Sequence, residues 1–349
     1  MLYNCFLEIV QSSMNFVITN FIPFCRNILL NKNYKLYHRC KEQSEITISQ
    51  LPTIEYTDTD IDYNNLKKCY ASDCVIECAN RMINVISKEN LKLFYNNING
   101  LTVVKKNFTF FNIILKQARA GDYSITFNRI RVRKKDYERT IPHELFHLAS
   151  AFYDFNNKIV FSGFLQYNYD FGTIIGRGLN EGYTQVIKNR YFGTSNSYVF
   201  ETHFASLLDE IIGKDRMENL YLNANLYGLV EELKKYANIE DIMRFINSFD
   251  YINLRTNNSK KIELIKSNSS YIARFLVDCY MKKLKILLEE EKITVFEMYN
   301  YYADFLENLN NRATIGNKIA YVFFELNDLK RTINDMSNYV TLVKKKRCS

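Results

Sequence analysis

Tryptophan is missing altogether from the 349-residue chain, and proline (three) and glycine (eleven) are scarce. So few chain breakers leave little room for long irregular loops, exclude collagen-like and low-complexity architectures, and favour helix wherever apolar residues recur every three or four positions. A hydrophobic fraction of 47% against 24% charged excludes a disordered chain. No charge of one sign dominates either. Lysine and arginine (46) exceed aspartate and glutamate (38) by a net +8, too thin a spread to make the concentrated basic face of a nucleic-acid binder, so no nucleic-acid partner is expected. Long hydrophobic runs are also lacking. Met1–Leu30 is apolar, but Glu8 interrupts it and its densest run, Phe16–Phe24, is broken by Thr19, Asn20 and Pro23, well short of the about 20 residues a membrane span needs. A buried helix pair is expected there, with no membrane partner. The eight cysteines (5, 25, 40, 69, 74, 78, 279 and 348) show no disulfide spacing, which points to a reducing, cytoplasmic location and to buried helical thiols.

No repeat of 20–50 residues marks a solenoid or propeller. The length implies two or three subdomains: a mostly helical region of unknown role over 1–100, a mixed core over 101–195, and a helical C-terminal lobe over 196–349, with the cleft between the last two. The fold class is therefore α+β and predominantly helical, with a small β-sheet. Asp73–Lys88 sets Val75, Cys78, Met82, Ile83 and Ile86 on one helical face, whereas Ser44–Asn64 is a polar connection. Asp58, Asp60 and Asp62 do not make a calcium loop, because Tyr63 stands where a glycine must turn and Cys69 where a bidentate glutamate must close the site. Period-two patterning predicts strands at Leu101–Val104 and Ser124–Arg133. In the latter, Arg129, Arg131 and Arg133 share a wet face that suits an exposed sheet edge. After Tyr198 the pattern is helical: Val199–Ile212, Met217–Tyr236, Ile239–Phe249, Ile262–Glu290 and Val295–Leu309.

Only four histidines occur, and two of them, His143 and His147, bracket Glu144 in the string His-Glu-Leu-Phe-His. On a helix, residues four apart share a face with about 5–6 Å between Cβ atoms, so two imidazoles can hold one zinc ion. Glu144, one residue on, is placed to take a proton from zinc-bound water. Thr140 as cap and Pro142 in the first turn predict the helix start, and the helix is expected to run to about Tyr153. A third histidine of the metzincin type is absent, because Tyr153 occupies its position. A carboxylate from a second helix remains as third ligand, and Gly178-Leu179-Asn180-Glu181-Gly182 supplies a candidate 34 residues after His147.

His143–His147 followed by Asn180-Glu181-Gly182 resembles the gluzincin group of zinc metallopeptidases, over Thr140 to Phe192. The resemblance implies a zincin-like motif domain, a zinc ion held by His143, His147 and Glu181, Glu144 as general base, and hydrolysis of a peptide or protein substrate. It also implies an acidic residue one turn after Glu181 that orients a ligand histidine. Gln185 stands there instead, with Asp154 as another supporting acid. For the donor that steadies the oxyanion, His203 comes first, with Tyr183, Tyr191 and Tyr198 as alternatives. The aromatic segment Lys158–Gly176 is expected to form a hairpin or flap, packed on the core or lining the cleft. The reading from a different class is a non-catalytic interaction protein that keeps a structural or regulatory zinc site.

Overall fold

The computed structural model describes residues 61–106, 120–154, 158–168, 172–195, 197–253 and 259–311, with positions 334, 338–339, 341–342 and 345 beyond. The apolar Met1–Leu30 segment and most of the basic C-terminal tail lie outside the described residues. The architecture is α+β and predominantly helical. Helices α1 (Ser72–Val85) and α2 (Lys92–Ile98) precede β1 (Thr102–Lys105), β2 (Gly121–Ser124) and β3 (Arg129–Val132). Helix α3 (Tyr137–Ala149) carries the His-Glu-Leu-Phe-His string and leads into β4 (Ala151–Asp154), β5 (Ile159–Ser162), β6 (Leu165–Asn168) and β7 (Thr173–Ile175). Helix α4 (Arg177–Phe192) carries Glu181, and α5 (Val199–Ser206), α6 (Leu208–Ile212), α7 (Lys214–Leu222), α8 (Leu226–Leu233), α9 (Ile239–Asn253), α10 (Ser259–Glu289) and α11 (Val295–Asn311) follow. Among the described residues no helix is long and apolar enough to cross a membrane.

The first sheet has the order β1-β3-β2, with β3 parallel to β1 and antiparallel to β2. The arginine-bearing strand is thus central, not the edge its charges suggested. Its arginines are instead matched by nearby groups: Arg131 pairs with Asp122 on β2, Arg133 with Asp136 at 2.8 Å, and Arg129 lies over the Phe127 ring at 5.2 Å. The two edges are β1 and β2. The second sheet is an antiparallel meander, β4-β5-β6-β7, so the expected hairpin is part of a four-stranded unit. Its aromatic residues Phe161 and Phe164 pack on the core.

Helix α3 starts and stops earlier than the sequence suggests. Asp136, not Thr140, precedes its first turn, and Pro142 sits inside the helix, removing one backbone donor near its start. It ends at Ala149, where the Ser150 hydroxyl donates to the Phe146 carbonyl at 2.9 Å. Asn97 of α2 donates to the carbonyls of Leu148 and Ala151 at 2.9 and 2.8 Å, satisfying groups a helix end leaves open. Residues 151–154 then pair with β5 instead of continuing the helix. In the C-terminal part, the expected Val199–Ile212 helix is divided at Leu207, and Met217–Tyr236 is divided around Ala224 (φ +51°) and Asn225, whose side chain accepts from the Gly228 amide at 2.7 Å.

One connected apolar cluster runs from Ile61 to Leu309. Every residue of α3 from Thr140 to Ala149 is buried, which fixes the helix between the first sheet, α1, α2 and α4. Helix α4 is clamped between α3, α5 and α9. A Cβ at Gly182 would stand 2.5 Å from the Glu201 carbonyl oxygen of α5, so only glycine permits this approach.

Candidate metal centre

Two helices build the site. Thirteen-residue α3 presents His143 and His147 on one face, and α4 crosses it with Glu181 opposite. His143 Nε2 and His147 Nε2 are 3.1 Å apart, and Glu181 Oε2 lies 3.2 Å from the first and 3.5 Å from the second. Ligands at about 2.0–2.1 Å on the corners of a tetrahedron around zinc stand about 3.3 Å from one another. The three atoms have that spacing, and the donor set of two imidazoles and one carboxylate leaves a fourth corner open, as catalytic zinc requires. All three residues are buried or nearly so, and Glu144 is buried beside them.

The amide behind His143 indicates which of its nitrogens faces the centre. Gln185 Nε2 donates to Asn189 Oδ1 at 2.6 Å and to Ser195 Oγ at 2.8 Å. Its Oε1 is therefore the acceptor for His143 Nδ1–H at 3.1 Å. With the proton on Nδ1, Nε2 turns a lone pair toward Glu181 and His147, an arrangement that asks for a cation. Behind His147, Asn180 Nδ2 and Thr184 Oγ1 lie 3.3 and 3.5 Å from Nδ1. The Thr184 hydroxyl donates to the Asn180 carbonyl at 2.6 Å and stands 2.5 Å from the Tyr221 hydroxyl. Burial acts to raise the Glu181 pKa, but the adjoining His143 and His147 outweigh it and hold the carboxyl well below the usual carboxylate range. On donor chemistry and on spacing, the residues present fit a zinc ion.

The cleft in front of the centre has a volume of 180 Å³ and is lined by β2 (Gly121, Asp122, Tyr123), Glu144 and His147 of α3, Ser162 and Leu165 of the meander, Arg177, Asn180 and Glu181 of α4, and Tyr198. Most of its lining comes from residues 121–181, with Tyr198 contributed from the 196–349 part. Gly121 is what lets β2 come so close: a Cβ there would meet Thr140 Cγ2 at 2.5 Å and stand 3.3 Å from Glu144 Oε1. A larger cavity of 750 Å³ opens on another side of α3, between α1 and the start of α3, and reaches none of the three ligand residues.

Several sequence-stated candidates fall elsewhere. His203 is buried on α5, its Nε2–H donating to the Leu309 carbonyl at 2.8 Å, and it does not line the cleft. Its place is corrected to the core between α5 and α11. Tyr183 and Tyr191 are also turned away, donating to Asp209 at 2.7 Å and to Glu218 at 2.9 Å. Of the four oxyanion candidates Tyr198 alone lines the cleft, in the left-handed region (φ +51°), with its ring stacked on His143 at 5.5 Å and 16°. Asp154 sits in β4 opposite Ile159 and does not line the cleft. Cys69, Cys74 and Cys78 are free thiols, half-buried or buried. Sequence reasoning missed Gly121 and Arg177. The first carries no motif, and the second is recognisable only from its place four residues before Glu181.

Comparison with family models, with curated proteins and with solved structures gives no match for this chain.

Proposed function

We propose that the protein is a zinc-dependent metallohydrolase of the gluzincin type that cleaves peptide bonds. The observation that carries this reading is the convergence of His143 Nε2, His147 Nε2 and Glu181 Oε2 within 3.1 to 3.5 Å of one another, with Glu144 in the same cleft. His143, His147 and Glu181 hold the ion. Zinc, when bound, supplies Lewis acidity that polarises a carbonyl and lowers the pKa of water to about 7.

The chain's own residues do the rest. Glu144 accepts the proton of the attacking water and hands it to the departing amine, a general acid–base role that needs a carboxylate within reach of both. Tyr198 takes over from His203 as the donor to the oxyanion, since its ring already stands on His143 at the cleft wall. Gln185 and the Asn180–Thr184 pair keep both imidazoles aimed. Strand β2 is an edge strand of the first sheet and lines the cleft, and an extended peptide can pair with such an edge through main-chain hydrogen bonds. This edge favours peptides over other acyl compounds.

The test is cleavage profiling of a peptide library by mass spectrometry, with zinc content measured on the same samples. The expected result is cleavage that a chelator abolishes and that Glu144→Gln loses while keeping its zinc. Stoichiometric zinc in the parent with no cleavage and no binding of a peptide hydroxamate would overturn the reading in favour of a non-catalytic zinc protein.

A further inference from the structure

Among the described residues that line the cleft, Arg177 is the one that carries a fixed positive charge. It is the first residue of α4 and is half-buried. Lying four residues before Glu181, it projects from the same helix face, with about 5–6 Å between the two Cβ atoms. The other charges of the cleft wall have partners in the fold. Asp122 is held by Lys106 Nζ at 2.9 Å and by Arg131, and Glu181 faces the two imidazoles. The guanidinium of Arg177 forms no hydrogen bond or ion pair with any described residue. Asp250, which attracts it electrostatically, spends its own oxygens on the backbone amides of Gly176 and Gly178 at 3.0 and 2.7 Å. The fold thus places Arg177 at the cleft with no bonded partner for its guanidinium among the described residues, and a planar guanidinium is built to grip a carboxylate in two parallel hydrogen bonds.

We propose that Arg177 selects substrates bearing a carboxylate one or two residues from the scissile bond. An extended peptide advances about 3.3 Å per residue, so the offset between Arg177 and Glu181 spans one to two residues of a chain lying along β2. The carboxylate comes either from an aspartate or glutamate side chain or from the C-terminus of the substrate. The inference rests on the peptidase reading above and names the substrate class for the same site.

Peptide hydroxamates test it without needing turnover. Twin probes differing only as Asp against Asn beside the hydroxamate, and a second pair ending in a free acid or an amide, are titrated calorimetrically into the zinc-loaded full chain and into Arg177→Gln and Arg177→Lys. The parent is expected to bind one acidic probe at least about 10-fold tighter than its neutral twin, the range of a charge-assisted hydrogen bond. Arg177→Gln abolishes the preference and Arg177→Lys keeps part of it, with equal zinc content in all three. Whichever pair shows the preference identifies the source of the carboxylate. Equal affinity for the twins in the parent, or a preference that survives in Arg177→Gln, overturns the role of Arg177 and leaves the hydrolase reading standing. Failure of every hydroxamate to bind a zinc-loaded parent overturns both. The parent's own discrimination decides the matter even if Arg177→Gln is unstable.

Discussion

Helix α4 carries two buried polar clusters along its length, and they are balanced in opposite ways. Toward its C-terminus, Arg190 meets Asp209 and Glu218 at 2.6 Å each, while Tyr183 and Tyr191 donate to the same two carboxylates. Toward its N-terminus, Glu181 faces two imidazole nitrogens, with one further carboxylate, Glu144, close by. The first cluster contains its own permanent cation and ties α4 to α6 and α7. The second gathers two imidazole nitrogens and a carboxylate oxygen around one point, and among the described residues no lysine or arginine is bonded to them. Burying charge is costly unless it is paired. A cluster closed by its own arginine therefore reads as architecture, whereas the second fits the metal site proposed above.

The largest expected effect falls on the open cluster. Glu144→Gln keeps the size and burial of the side chain but cannot take a proton, so peptide cleavage should fall about 10²–10⁴-fold, with zinc content and melting temperature unchanged. Kinetics and elemental analysis on one preparation check this. A variant that cleaves like the parent would remove Glu144 from the mechanism.

The closed cluster should respond in stability and not in metal. Arg190→Ala strands Asp209 and Glu218 in the interior and should cost about 3–5 kcal/mol of unfolding free energy, measured by denaturant titration. The loss should be the same with and without zinc. Glu181→Ala should do the reverse, removing the zinc-dependent part of stability and little else. If Arg190→Ala lost zinc while remaining folded, the two clusters would be coupled and the distinction between them would fail.

A smaller effect is expected behind the site. Gln185→Ala removes the acceptor of His143 Nδ1–H and should weaken zinc affinity about 10–100-fold, with metal-free stability close to the parent's. Gln185→Glu, which supplies the carboxylate a gluzincin resemblance leads one to expect, should tighten binding. Competition with a chromophoric chelator reads both. No change in either variant would mean that the 3.1 Å contact does not tune the ligand.

What the sequence made legible follows the same division. His143, Glu144 and His147 are readable because a helix alone fixes which residues four apart share a face, whatever packs around it. Glu181 required a second helix to cross the first. Its flanking Asn180 and Gly182 hint at this, one bonding back toward His147 and the other letting α5 approach. Long apolar periodicity gave the helical C-terminal part, though not its breaks at Leu207 and Ala224. The errors lie where tertiary pairing outweighs local pattern. Ala151–Asp154 continues an apolar helical period yet pairs as β4, and Arg129–Val132 looks like a charged edge yet lies between two strands. His203 is expected as the oxyanion donor because the gluzincin resemblance implies a histidine or tyrosine in that role, and its ring bonds instead to a carbonyl of α11.

The N-terminus of α4 offers the last and smallest way to sharpen the comparison. Asp250 accepts from the amides of Gly176 and Gly178, closing with a carboxylate the helix end that carries Arg177 and Glu181. Burial raises its pKa to about 6, more than those two amides lower it. A carboxyl whose folded pKa lies above its unfolded value binds more protons folded than unfolded between the two, so its contribution to stability is greatest in acid. That contribution declines as pH rises from about 4 toward 6, by at most about 1.4 kcal/mol per pH unit. Asp250→Asn should flatten this decline in unfolding titrations at pH 4, 5 and 6 on metal-free protein. Arg190→Ala should leave the slope in place, because its network lies at the other end of the helix. If the parent instead gained stability across that window while Asp250→Asn did not, the amides and Arg177 would outweigh burial at Asp250, and this end of α4 would be balanced like the closed cluster.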